Sequence, residues 1–223
     1  MHYEILCRPS FSLLEVTLSA GERIVSEAGA MAWTEGPVQT ETSTRGGVLT
    51  GLKRAVLAGE SFFQNTYRAE AGTAKVALAP GAAGDIVPYE LSGGELFLER
   101  GAYLASTEGV QCDSKFQGLK GLFSEGLFVL RVTGTGLLFF SAYGAIEEIQ
   151  VQGSYTVDNG YAVAWEPSLQ YQLTRARRIR SFLFSDQLLL KFTGSGRAWV
   201  QSRSPISLAN WVYPFRRKKS KSD

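Results

Sequence analysis

Histidine and cysteine are scarce in this chain of 223 residues, and their scarcity excludes several kinds of site. The single histidine is His2, near the chain end, so the body lacks the usual general base of a Ser or Cys hydrolase and the usual metal ligand. The two cysteines, Cys7 and Cys112, stand far apart without a CxxC motif. The sequence therefore predicts free thiols, with no disulfide framework, no metal site and no cofactor.

Long hydrophobic runs and a secretory signal are also absent. The longest apolar run, residues 134–146, is interrupted by Gly, Ser and Tyr and is shorter than the roughly 20 residues that a membrane-spanning helix needs. The N-terminus contains the acid Glu4 and lacks a basic region and a small-residue cleavage site. We therefore expect a cytoplasmic protein that is either soluble or bound at the surface of a membrane.

The formal net charge of +2 is unevenly distributed along the chain. The last eight residues, "RRKKSKSD", contain five basic residues and one acid, so they carry +4 and leave −2 for residues 1–215. The basic residues are Arg216, Arg217, Lys218, Lys219 and Lys221. The tail at 216–223 is either a solvated terminus or a binding site for an anionic partner. A membrane surface is favoured over RNA, because the acidic body would repel a polyanion that wraps around it.

One phrase occurs three times, as "AGERIVSEAGAMAW" from residue 20, "GGELFLERGAYLAS" from residue 93 and "QGSYTVDNGYAVAW" from residue 152. In each copy a glycine is followed seven residues later by a small residue, and then by an aliphatic residue and an alanine. The aligned glycines are Gly21, Gly94 and Gly153. Self-similarity of this kind predicts a structure built from repeated units.

A second phrase follows the later copies of the first. The segments "GLFVLRVTGTGLLFFSA" from residue 126 and "DQLLLKFTGSGRAWVQS" from residue 186 each place a GxG motif between two apolar runs. The apolar runs are typical of β-strands, and we interpret the GxG motifs as tight hairpin turns. The corresponding first copy, from residue 61, keeps only Gly72 of the glycine pair.

These patterns predict an all-β protein in one compact body, made of tandem β-sandwich or double-stranded β-helix-like units. The predicted units are residues 1–90, 91–150 and 151–215, followed by the basic tail. The first unit contains an insertion at 44–59, whose apolar residues follow a helical stripe. We therefore expect one short inserted helix there.

Seven segments support a resemblance to a known family. They are "LKRAVLAGESFFQNTYRAEAG", "GDIVPYEL", "RGAYLAS", "GLFVLRVTGTG", "GAIEEI", "DNGYAVAW" and "GSGRAWVQSRSP", in this order. Together they resemble the altered-inheritance-of-mitochondria family, whose fold is similar to that of the tryptophan RNA-binding attenuation protein. The resemblance implies tandem β units, a homotrimer and no established enzyme activity. Eukaryotic relatives are associated with the organisation of the mitochondrial inner membrane.

The chain departs from the family pattern at two places. The segment "FSDQLLL" at 184–190 lacks the usual Gly-Glu-Gly, and "QSRSP" at 201–205 replaces the more common Gln-Thr-Arg-Asn-Pro. No motif matches the tryptophan and RNA contacts of the attenuation protein. RNA binding therefore rests on fold analogy alone, and no DNA binding is expected.

Two acids are the candidate site residues, because both match family motifs: Glu60 in "GESFF" and Asp85 in "GDIVP". Paired acids can hydrolyse glycosides when they are held at a suitable separation. Acids beside glycines more often accept hydrogen bonds from turn amides. A phosphate-binding loop is disfavoured because Gly51 is followed by Leu52 instead of the lysine that the motif requires. We identify no catalytic residue.

The sequence thus predicts a non-enzymatic structural or interaction protein that assembles as a homotrimer. The alternative is a module that binds a membrane surface or RNA through the basic tail. A third reading is an enzyme that uses carboxylates such as Glu60 or Asp85.

Overall fold

The computed structural model describes residues 1–44, 63–113, 129–175 and 188–216. Within these residues the protein is all-β with one short helix, which confirms the predicted fold class at that level. The strands are β1 (His2–Leu6), β2 (Leu13–Ser19), β3 (Arg23–Glu27), β4 (Met31–Glu35), β5 (Val38–Thr44), β6 (Phe63–Ala69), β7 (Thr73–Leu78), β8 (Ile86–Glu99), β9 (Tyr103–Ser106), β10 (Val110–Asp113), β11 (Val129–Ser141), β12 (Ile146–Asp158), β13 (Ala162–Trp165), β14 (Leu169–Arg175) and β15 (Leu188–Gln201), and the α-helix is α1 (Pro205–Val212).

Strands β2 to β15 fall into three stretches with the same pairing pattern: a first stretch at 13–78, a second at 86–141 and a third at 146–201. In the second stretch the long strands β8 and β11 pair antiparallel, and the short strands β9 and β10 both pair with β11. In the third stretch β12, β13 and β14 all pair with β15. In the first stretch both long strands are broken in two, so β2 pairs with β7 and β3 with β6, while β4 and β5 take the places of the short strands.

The connections between these stretches lie at residues 79–85 and 142–145. Strands β8 and β12 consequently cross the boundaries that the sequence predicts at residues 90 and 150. The two connections contact each other through a parallel bridge between Gly84 and Gly144.

The glycines of the repeated phrases meet across the long strands. Gly94 lies opposite Gly134, and Gly153 lies opposite Gly194. The register between β8 and β11 shifts directly after the first of these pairs. In the first stretch the corresponding Gly21 occupies the break between β2 and β3 and has a φ of +84°. The glycines therefore mark a break in the first long pair, a register shift in the second and a facing glycine pair in the third.

The GxG motifs lie inside long strands, so the prediction that they form hairpin turns is wrong. The physical reason is a close approach of the turn before β10. A Cβ on Gly134 would lie 2.1 Å from the Gly109 carbonyl oxygen, and a Cβ on Gly136 would lie 2.1 Å from the Thr107 hydroxyl oxygen. Glycine is needed here because it has no side chain, which leaves room for the turn that crosses the strand. In a hairpin turn, glycine would be needed for its backbone conformation instead.

Two pairings join neighbouring stretches into larger sheets. Strand β9 of the second stretch pairs with β3 of the first, and β13 of the third pairs with β8 of the second. The result is an eleven-stranded sheet with the path β12-β15-β13-β8-β11-β9-β3-β6-β5, to which β10 and β14 attach, and a four-stranded sheet with the order β1-β2-β7-β4. Each later stretch therefore covers the first long strand of the stretch before it.

The buried side chains form three clusters, one centred on each stretch. Each cluster includes an aromatic side chain from a neighbouring stretch. Phe139 of β11 packs into the first cluster, Trp199 of β15 into the second and Phe97 of β8 into the third. Because burial of one such ring is worth about 2 to 3 kcal/mol, the stretches stabilise one another and form one body.

The helix predicted at 44–59 lies outside the described residues apart from Thr44, which ends β5. The observed helix α1 follows the last strand, where the sequence predicts none. It begins in the ordinary way: Ser204 is the N-cap and its hydroxyl accepts the Ser207 amide N–H at 3.3 Å, and Pro205 occupies the first helical position. No helix in the described residues is long and apolar enough to cross a membrane.

Candidate functional site

Asp85 lies at the connection between the first and second stretches and is held by four hydrogen bonds. The Arg8 guanidinium donates to both carboxylate oxygens, from Nε to Oδ1 at 2.9 Å and from Nη2 to Oδ2 at 2.8 Å. Oδ1 also accepts from the Ser12 hydroxyl and from the Ile86 amide N–H, both at 2.8 Å. The Asp85 side chain is only 10% exposed. Its geometry is that of a link between the N-terminal loop and the start of β8.

Burial alone would raise the pKa of the Asp85 carboxyl, but the hydrogen bonds from Arg8, Ser12 and the Ile86 amide together lower it below its usual value. A carboxylate that stays ionised and fully hydrogen-bonded is poorly suited to act as a general acid. Sequence reasoning missed Arg8 and Ser12, which stand 77 and 73 residues from Asp85 and belong to no recognisable motif with it.

The other sequence-predicted site residues are separate from Asp85. Glu60, Arg217, Lys218, Lys219 and Lys221 lie outside the described residues. Arg216 is described and exposed, and its guanidinium carbon lies 3.8 Å from the centroid of the Tyr213 ring.

A pair of acids that sequence reasoning missed lies where the first two stretches meet. Burial raises the pKa of Glu27, at the end of β3, to about 7, with Arg100 opposing the shift and Glu99 adding to it. Burial also raises the pKa of Glu99, although the backbone N–H groups of Gly101 and its neighbours oppose this. In the repeated phrases these acids occupy adjacent columns, Glu27 directly before the small residue and Glu99 one place earlier.

Glu99 also lines a small cavity, together with Tyr143, Gln201 and Pro205 among others. Its volume of about 80 Å³ is well below the roughly 300–1,000 Å³ of small-molecule sites. Among the described residues there is no group of three or more His, Cys, Asp or Glu side chains that could hold a metal ion. The cavity beside Glu99 is therefore too small for a sugar, and within the described residues the two acids have no third ligand for a cation.

Two strands present free edges that their counterparts do not. Among the strands that the structure describes, β4 pairs only with β7, and β12 pairs only with β15. The counterparts of β4, which are β9 and β13, each pair with a strand on both sides, and so do β3 and β8, the counterparts of β12. Every residue of β4 is exposed, including Met31 at 44% and Trp33 at 46%. These two edges are the first candidate interaction surface.

The helix α1 and the residues after it form the second candidate surface. None of the helix residues is buried. Six of the ten exposed large hydrophobic side chains in the described part of the chain lie here: Ile206, Leu208, Trp211, Val212, Tyr213 and Phe215. An apolar patch of this kind on a protein surface marks a site of contact with a partner or a membrane.

Similar known proteins support the family resemblance, and the relatives named below have no assigned activity. The chain is 32% identical over 213 residues to an uncharacterised protein of Streptococcus pyogenes serotype M6, covering 91% of this chain and 86% of the other. The crystal structure of a Streptococcus pyogenes protein from a structural genomics programme has a TM-score of 0.78 and 28% identity, covering 96% of this chain and 99% of that one. Residues 3–203 match the family described as mitochondrial biogenesis AIM24, so the match ends just before α1. The chain therefore belongs to the mitochondrial biogenesis AIM24 family, as its motifs predict.

Proposed function

We propose that this protein is a non-enzymatic structural protein that assembles head to tail with copies of itself, through the free edges of β4 and β12, into a homotrimer in the cytoplasm. One observation carries the proposal. Within the described residues, the same pairing occurs twice, β9 with β3 and β13 with β8, and β4 and β12, which would make a third such pairing, have no strand beside that edge.

The two internal pairings supply the register of the proposed contact. In the first, Ser106 lies opposite Val25, and in the second, Trp165 lies opposite Phe97. Aligned through the repeated phrases, these pairs place Trp33 of one copy opposite Val157 or Thr156 of the next. Main-chain hydrogen bonds along such an added strand provide affinity, and the side chains beside it provide specificity.

The free edges of β5, β10 and β14 do not support a different assembly. Each of these strands pairs with one neighbour in its own stretch, and this is the same in all three stretches. In the described part of the chain, β4 and β12 each have one pairing partner fewer than their counterparts. An unpaired edge with exposed apolar side chains also invites uncontrolled association, which a specific partner prevents.

A contact between two different surfaces of the same chain closes into a ring or grows into a filament. We propose a closed ring of three copies, since three is the number that the family resemblance predicts. Each copy would then have both edges covered. Asp85 supports the non-enzymatic part of the proposal, because its oxygens are occupied by Arg8, Ser12 and the Ile86 amide.

The test places a lysine on each edge in a separate variant and then mixes the two variants. Trp33→Lys and Thr156→Lys each place a lysine at an exposed position of one edge, so each variant should be monomeric by light scattering at a concentration where the parent is trimeric. Mixing the two variants leaves one intact β4 and one intact β12 in each pair of molecules, and a heterodimer should form. Gln170→Lys, on the edge of β14 that all stretches leave free, is the matched control and should stay trimeric.

A parent protein that is monomeric at micromolar concentration would contradict the proposal. So would a trimer that survives both lysine variants. If each lysine variant were monomeric and their mixture stayed monomeric as well, a head-to-tail contact would be excluded.

The binding-module alternative is favoured by a separate observation, the exposed apolar segment beside the basic tail. The carboxylate-enzyme alternative would require Asp85 or Glu60 to act. Asp85→Asn and Glu60→Gln should leave any hydrolytic activity of the protein unchanged in an assay with glycoside substrates.

A further inference from the structure

Within the residues that the structure describes, residues 206–216 form the segment with the most exposed large hydrophobic side chains. From Ile206 to Phe215 the exposed fraction of every large hydrophobic side chain is at least 42%, and it reaches 68% at Trp211 and 75% at Phe215. The segment lies beyond residue 203, where the family match ends. It therefore requires an explanation of its own, independent of the β body and of its assembly.

We propose that residues 206–216 form a site that binds the surface of an anionic lipid bilayer, to which the basic residues that follow in the sequence add positive charge. The helix lies in the headgroup region with its apolar side toward the acyl chains. Interfacial segments of this kind combine aromatic and aliphatic side chains with Lys and Arg, and they lie on a membrane without crossing it.

The arrangement of side chains on α1 fits this orientation. Ser207 and Asn210 are three residues apart and so lie on one side of the helix. Leu208, Trp211 and Val212 also share a side by the same spacing rule, on which Leu208 and Val212 lie opposite Asn210. Trp and Tyr are the residues that favour the boundary between headgroups and acyl chains, and Tyr213 follows the helix directly.

The charge of the segment is complementary to anionic lipid. No Asp or Glu occurs between residues 203 and 222, and five basic residues follow Phe215. Each Lys or Arg close to an anionic membrane raises the partition coefficient about fivefold. An apolar segment and a basic cluster are the two signals that together give stable peripheral binding.

Two other occupants fit the segment less well. RNA would explain the basic tail and stacking on Trp211, but base recognition makes no use of the aliphatic side chains Ile206, Leu208 and Val212. A second copy packed through the same segment would bring two basic tails together, and their charges would repel. A lipid surface accounts for the aliphatic, aromatic and basic residues at once.

The helix is fixed to the body at its first turn, which leaves the rest of it accessible. Ser204 is buried, and its hydroxyl oxygen would lie 2.7 Å from a Cβ at Gly160, in the turn before β13. The Leu208 amide N–H donates to the Ser204 carbonyl and so continues the helix from this point. The apolar side chains are thus presented on a short, anchored element.

Vesicle flotation with the full chain tests the site. The protein should float with phosphatidylcholine vesicles that contain phosphatidylserine and remain below vesicles of phosphatidylcholine alone. Trp211→Ala should lower the partition coefficient about tenfold, since a large apolar side chain no longer enters the bilayer. Asn210→Ala shortens a side chain on the polar side of the same helix and should bind like the parent.

Tryptophan fluorescence provides a second readout that does not depend on flotation. Trp165 and Trp199 are buried, so in a Trp33→Phe background Trp211 is the one tryptophan accessible to acrylamide. Anionic vesicles should then suppress acrylamide quenching, and raised salt should restore it as the lipid charge is screened.

Equal binding of the Trp211→Ala and parent proteins would overturn the proposal, because charge alone would then explain the attachment. Binding to a uridine homopolymer RNA without binding to anionic vesicles would also overturn it. Protection of Trp211 from acrylamide that rises with protein concentration in the absence of vesicles would assign the segment to a second copy instead.

Discussion

Trp33 and Trp165 occupy the same position in the repeated phrase, yet one is half exposed and the other is completely buried. Trp165 on β13 packs against Phe97, Tyr171 and Phe192, with ring centroids 5.9, 5.4 and 5.4 Å away. Phe97 belongs to β8 of the preceding stretch. Trp33 lies on β4, which belongs to the first stretch and pairs with β7 alone among the described strands. The burial of a side chain in this fold is therefore decided by the neighbouring stretch as well as by its own sequence.

The largest expected effect separates these two tryptophans. Trp165→Ala should destabilise the protein by about 3 to 5 kcal/mol, because it leaves a cavity among three aromatic rings. Trp33→Ala should change the free energy of unfolding of the monomer by less than about 1 kcal/mol. Urea denaturation of both variants at low protein concentration measures the difference. Similar losses would show that β4 is covered within the single chain.

A second prediction compares the glycines where the long strands bend. Gly134→Ala should cost about 3 kcal/mol, since φ is +116° and the new Cβ would lie 2.1 Å from the Gly109 carbonyl oxygen. Gly21→Ala has open space and a φ of +84°, so it should cost about 1 kcal/mol. Thermal unfolding of the two variants tests this ranking. The reverse order would mean that the first stretch is the more constrained of the two.

The smallest effect concerns Glu27, at the junction that β9 and β3 form inside the chain. Burial raises its pKa to about 7 in the folded protein, from 4.5 in the unfolded chain. Between these values the folded state holds more protons, so the stability of the parent should fall as the pH rises through this window. Above pH 7 the half-buried, ionised Glu27 should make the parent less stable than Glu27→Gln by about 2 kcal/mol.

Chemical denaturation of the parent and of Glu27→Gln across this pH range provides the measurement. The two stability curves should converge toward pH 4.5. A difference between the two curves that does not grow between pH 5 and pH 7 would show that Glu27 is already ionised in the folded state at pH 5.

Local sequence patterns were sufficient to predict β-strands and to identify the glycines that have a structural role. Alignment of the three phrases selects Gly94 and Gly153, and each does lie where a long antiparallel pair is interrupted or faces another glycine. The all-β class follows from the same local signals. The role of the GxG motif did not follow, because the turn that Gly134 and Gly136 accommodate comes from a segment 25 or more residues away in the chain.

The candidate sites depended on contacts that no local pattern records. Asp85 matches a family motif, but its partner Arg8 is 77 residues distant. The exposure of Trp33 depends on which strands lie beside β4. At α1, the Ser204-Pro205 pair is an ordinary start signal for a helix, while the apolar residues after it also fit a strand. Local sequence could not choose between the two.

The order in which the stretches pair with one another is the order in which they are synthesised. During synthesis the N-terminal parts fold first, and each stretch can complete its own strand pairs as soon as it has left the ribosome. The edge of β3 stays unpaired until β9 is synthesised, and the edge of β8 stays unpaired until β13 is synthesised. Each of these later strands therefore pairs with an edge of the preceding stretch. In the described residues no later strand covers the edge of β12, and in the proposed assembly this edge pairs with β4 of another copy.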